Sequence, residues 1–71
     1  MRNQVTKCYP FVCSPESINI VRRCMNSINK LTCARMSVNY ANKKAGEIFE
    51  LTIIASPFDI YLIEAVLAPY V

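Results

Sequence analysis

Phe11-Val12-Cys13-Ser14-Pro15 and, 42 residues further on, Ile53-Ile54-Ala55-Ser56-Pro57 decide how this chain folds. The same offset aligns Ile18 with Ile60, Ile20 with Leu62, Val21 with Ile63, Cys24 with Val66 and Met25 with Leu67. An internal repeat is worth finding before anything else, because it sets the plan of the whole domain. Each copy reads as a strand that turns directly into a helix. Ser14 and Ser56 are good N-caps, since a serine hydroxyl accepts from the orphan amides of the first turn. Pro15 and Pro57 stand at the first helical position, where a missing N–H costs nothing and φ is already set. Asp59, three residues after Ser56, fits a capping box and meets the positive end of the helix dipole.

From these two starts the remaining elements follow. Ile18, Val21, Met25 and Ile28 recur at helical spacing, widened by Ile20 and Cys24, so a first helix is expected over Pro15–Ile28 with Asn29 as its stop. Glu16, Asn19, Arg22, Arg23 and Asn26 occupy its other side. A second helix is expected over Pro57–Ala68, ended by Pro69. Between them Leu31–Tyr40 alternates, with Thr32, Ala34, Met36, Val38 and Tyr40 on one face. A polar turn follows over Ala41–Gly46, whose glycine is free to take positive φ. Glu47–Ala55 is the next strand, with Phe49, Leu51, Ile53 and Ala55 inward and Glu50 and Thr52 outward. Across this hairpin Glu50 is expected to face Arg35 as an ion pair. Gln4–Val12 supplies the first strand. The order is βαββα, an α+β single domain over residues 1–71 with a three-stranded antiparallel sheet and both helices on one face.

These duplicated halves resemble the ferredoxin-like arrangement, a repeated βαβ unit, without its last strand. The resemblance is one of topology and implies no function. It implies that the first strand lies at an edge, because after the second helix only Pro69-Tyr70-Val71 remains. Pro10 agrees, since proline is confined to edges and bulges. Lys7 and Pro10 read either as guards of an open edge or as part of a surface that accepts another strand.

The two copies differ on their outer faces. Phe58, Tyr61, Ala65 and Ala68 stand where the first copy has Glu16, Asn19, Arg23 and Asn26. A helix that is apolar almost all round is usually covered on both sides. Either Tyr70 and Val71 fold back over this stripe, or a second molecule covers it. The expectation is a homodimer through Phe58, Tyr61, Ala65, Ala68 and Tyr70.

Composition points the same way. A chain of 71 residues buries about 60% of its unfolded surface, which leaves a small core. Yet 54% of its residues are hydrophobic and 18% charged, more apolar side chains than so small an interior hides. No run approaches the roughly 18–20 apolar residues of a membrane span, and the first ten residues lack the apolar core of a secretory signal. The expected compartment is the cytoplasm, of a cell or of an infected host. Cys8, Cys13, Cys24 and Cys33 then read mainly as reduced, packed thiols, with a disulfide or an all-cysteine metal site as alternatives.

Catalytic chemistry has little to stand on. There is no histidine to act as a base, the acids form no adjacent pair, and a single glycine cannot make a phosphate loop. No cofactor or catalytic residue is expected. RNA-recognition motifs share this element order and stack bases on sheet aromatics, but parity sends Tyr9, Phe11 and Phe49 to the helix side. The reading is a non-enzymatic protein-binding module, an inhibitor, adaptor or assembly subunit of the size common among phage and mobile-element regulators. Arg35, Asn39, Glu50 and Lys7 are the candidates for a target protein. The alternative is a small nucleic-acid-binding regulator using Arg22, Arg23, Lys43 and Lys44, in keeping with a net charge of +3.

Overall fold

The computed structural model describes residues 3–71. Among them the order is β1 (Val5–Val12), α1 (Pro15–Leu31), β2 (Arg35–Val38), β3 (Ile48–Ala55) and α2 (Pro57–Leu67). The strands form one antiparallel sheet in the order β1-β3-β2. Both helices pack on one face of it, as their buried stripes meet the inward rows of the strands. No helix among the described residues is long and apolar enough to cross a membrane.

Both helix starts form as the repeat implies. Ser14 sits in extended backbone and its hydroxyl accepts from the Ser17 N–H at 3.1 Å. Ser56 does the same for the Asp59 N–H at 3.1 Å. The two serine carbonyls accept from Ile18 and Ile60 and so open the helical ladders. At each start the serine hydroxyl thus meets one orphan donor and the proline removes another, a wholly local solution.

The inward row of each strand is the buried one. Tyr9, Phe11 and Cys13 from the first copy meet Phe49, Leu51, Ile53 and Ala55 from β3. Val21, Cys24 and Ile28 of α1 and Ile60, Ile63 and Leu67 of α2 close the core above them. Phe49 is its centre. It stacks on Phe11 with centroids 5.8 Å apart and receives the edge of Tyr40 at 5.7 Å.

The end of α1 and the hairpin differ from the sequence expectation. The helix runs past Asn29 to Leu31 and stops at Thr32. The Thr32 hydroxyl donates to the Ile28 carbonyl at 2.9 Å and accepts from the Ala34 N–H at 3.2 Å, so one side chain both closes the helix and starts the extended chain. β2 is accordingly short. Its alternation is as expected, with Met36 and Val38 half-buried, but its register is not the one that pairs Arg35 with Glu50. Arg35 lies opposite Ile54 and Val38 opposite Leu51, while Glu50 lies opposite Pro10 of β1. The cause is the long connection. Tyr40, which this register places opposite Phe49, packs against its ring, and the turn reaches the end of β1, where Cys13 donates to Glu47 and accepts from Gly46. Gly46 takes φ 91°, the left-handed backbone that a glycine reaches without strain.

Candidate interaction surfaces

The inner stripe of α2 is buried and its outer stripe is open. Phe58 is 73% exposed and Tyr61 75%, with Ala65 and Ala68 exposed beside them. The C-terminal residues do not cover this stripe. Tyr70 N–H donates to the Leu67 carbonyl, and its ring lines a shallow groove with Arg23, Cys24, Ser27 and Val66, between α2 and α1. Tyr70 is therefore parted from Phe58 and Tyr61, with which the sequence reading had grouped it.

β1 is the second open surface. Cys13 N–H donates to Glu47 of the β3 side, so in the antiparallel alternation the odd residues of β1 turn their backbone groups inward to the sheet. Thr6, Cys8, Pro10 and Val12 turn theirs to the free edge. Pro10 is accommodated there because the amide it lacks would have had no strand to meet. Lys7 shares the helix-side face with Tyr9 but lies beyond the covered area and is exposed.

Above this edge α2 contributes Glu64, whose carboxylate accepts from the Tyr9 hydroxyl at 3.1 Å. Sequence reasoning did not single out this contact. Its one signal was Tyr9 itself, since a phenol on an inward row needs a polar partner for its tip. Burial first, then the hydrogen bond to Glu64 and its charge, push the Tyr9 phenol from 10.0 up to about 12. A raised folded value means the neutral phenol stabilises fully below the unfolded pKa and loses that contribution as pH rises from 10.0 to about 12. In Tyr9→Phe the alkaline decline should be shallower than in the parent, which urea titrations at stepped pH would measure.

The open face of the sheet is the third surface. Val12 and Ile48 form an exposed cross-strand pair at one end, 51% and 53% accessible. Asn39 and Glu50 line a shallow depression with Ser37, Lys43 and Thr52. Arg35 stands toward the other end of β2, opposite Ile54, and Lys7 belongs to the opposite face of β1. The four target-binding candidates are thus spread over three places, with Asn39 and Glu50 together. Of the basic candidates, Arg22 and Arg23 are exposed on α1, and Lys43 and Lys44 lie in the β2–β3 turn, where the Lys44 N–H donates to the Glu47 carboxylate. Tyr9, Phe11 and Phe49 are buried, so these three sheet aromatics form no stacking platform on the open face.

Cys13 and Cys24 are core residues, and burial raises the Cys24 thiol, which makes it a poor nucleophile. Cys8 and Cys33 are exposed, contrary to the expectation of mainly packed thiols. Among the described residues no group of three or more cysteine or acidic side chains could hold a metal ion. Fold and surfaces together define a small α+β domain whose β1, among the described residues, is paired on one side only and lies beneath an externally apolar helix. Compared with known proteins, the chain matches no family model, no curated protein and no solved structure.

Proposed function

We propose that this chain is a non-enzymatic protein-binding module, an inhibitor, adaptor or assembly subunit that acts as a homodimer in the cytoplasm. The observation that carries the reading is the outer stripe of α2, where two large rings, Phe58 and Tyr61, stand three-quarters exposed and uncovered by the C-terminal residues. Scattered apolar residues are normal on a surface, whereas aromatic rings grouped on one helix face mark a contact site. In a domain this small, partner burial also supplements a core that is limited by size. Asn39, Glu50 and Lys43 then offer the polar depression to a target on the sheet's open face. Sedimentation velocity at micromolar concentration tests the association. A dimer is expected, and a monomer at that concentration overturns the homodimer.

A further inference from the structure

We propose that the second copy docks along β1. The two β1 edges would pair antiparallel about a twofold axis beside Cys8, joining two three-stranded sheets into one continuous sheet. This rests on the homodimer reading and specifies its geometry. The backbone comes first. Thr6, Cys8 and Val12 present N–H groups and carbonyls to the open edge, and an antiparallel edge is complementary to a copy of itself, as a twofold interface requires.

Charge selects the register. Lys7 is the one cation of β1 and lies on the helix side, exposed, next to the Tyr9–Glu64 contact. An axis at Lys7 would set two ammonium groups against each other. An axis at Tyr9 would set Lys7 against Phe11 of the second copy. The axis at Cys8 sets Lys7 opposite Tyr9 of the second copy, whose hydroxyl is held by Glu64, so that each ammonium meets a carboxylate across the interface. In this register the Cys8 pair exchanges both ladder bonds and each Thr6 N–H reaches a Pro10 carbonyl. Pro10 withholds the return bond, which leaves a Thr6 carbonyl to water on either side.

The helices fit the same axis. Glu64 reaches Tyr9, so α2 sits over β1, and joining the edges brings the two copies of α2 side by side. The residues flanking Glu64 on that side are Tyr61, Ala65 and Ala68, a ring for contact area and two small side chains that permit close approach. One twofold axis thus covers the open edge together with Tyr61, Ala65 and Ala68 of the apolar stripe.

Charge reversal in trans tests this. Lys7→Glu and Glu64→Lys alone each place two like-charged contacts in a homodimer, and each should weaken association on the order of tenfold at low salt. Mixed in equal amounts, the two variants form a heterodimer in which both contacts are attractive, so association should return toward the parent value. A short bis-maleimide should also link Cys8 to Cys8 in a Cys33→Ser background, a probe that leaves the interface charges untouched. A parent dimer that shows neither recovery on mixing nor a Cys8 cross-link overturns the proposal while the homodimer stands. A parent monomer overturns both.

Discussion

Phe49→Ala is expected to remove about 3–5 kcal/mol of folding free energy, the range for truncating a buried aromatic ring. Phe49 is 1% exposed and touches the rings of both Phe11 and Tyr40. Its loss opens a cavity where β1, β3 and the end of the β2 segment meet, and none of the surviving rings can fill it without leaving its own contacts. A domain of 71 residues has about 4–10 kcal/mol of total stability at the usual 0.05–0.15 per residue. The variant should therefore lose between about a third of its stability and all of it. Urea denaturation followed by far-ultraviolet circular dichroism, at one fixed protein concentration, measures this. The neighbouring Ile48→Ala is the control. Ile48 is half exposed on the other face, and its removal should cost less than about 0.5 kcal/mol. Equal losses for the two would contradict the burial pattern of β3.

Much of that pattern was legible because it is local. A strand changes face at every residue, so Glu50 and Thr52 alone were enough to send Phe49, Leu51 and Ile53 inward. The Ser-Pro starts were legible for the same reason, since cap and first turn lie within four residues. Most of what was not legible depends on residues far apart, and the end of α1 is the local exception. Asn29 looked like a stop by type, but Thr32 ends α1 because its hydroxyl serves both the helix and the chain that follows. The Arg35–Glu50 pair failed because parity fixes a face and not a register. The register was set by Tyr40 on Phe49 and by the clip between the turn and Cys13, neither of which alternation encodes. Tyr9 and Glu64 stand 55 positions apart, and nothing in their local spacing joins them. The outer stripe of α2 was visible as a difference between the two copies. Whether the chain's own end covered it was a tertiary question, answered by Tyr70 turning to α1.

Tyr61→Glu should separate association from folding. At 75% exposure the ring contributes little to the isolated domain, so the change should move monomer stability by no more than about 0.5 kcal/mol. A few tenths of that is repulsion from Glu64, three residues on along the helix. In the proposed dimer the same ring is desolvated near the axis, where truncating an aromatic anchor typically costs 2 kcal/mol or more, about thirtyfold in affinity. A carboxylate in its place adds the penalty of removing a charge from water. Sedimentation should therefore find a folded monomer at concentrations where the parent is a dimer. Ile63→Glu, two residues away on the same helix, should behave in the opposite way. Ile63 is fully buried between α2 and the sheet, so a carboxylate there unfolds the domain. The contrast tests the asymmetry between the copies, because Val21, the counterpart of Ile63, is buried in the same way, whereas the counterpart of Tyr61 is the exposed, polar Asn19. If Tyr61→Glu unfolds the protein as Ile63→Glu does, the outer stripe belongs to the core of the monomer. If it leaves the parent's association unchanged, the stripe is no interface.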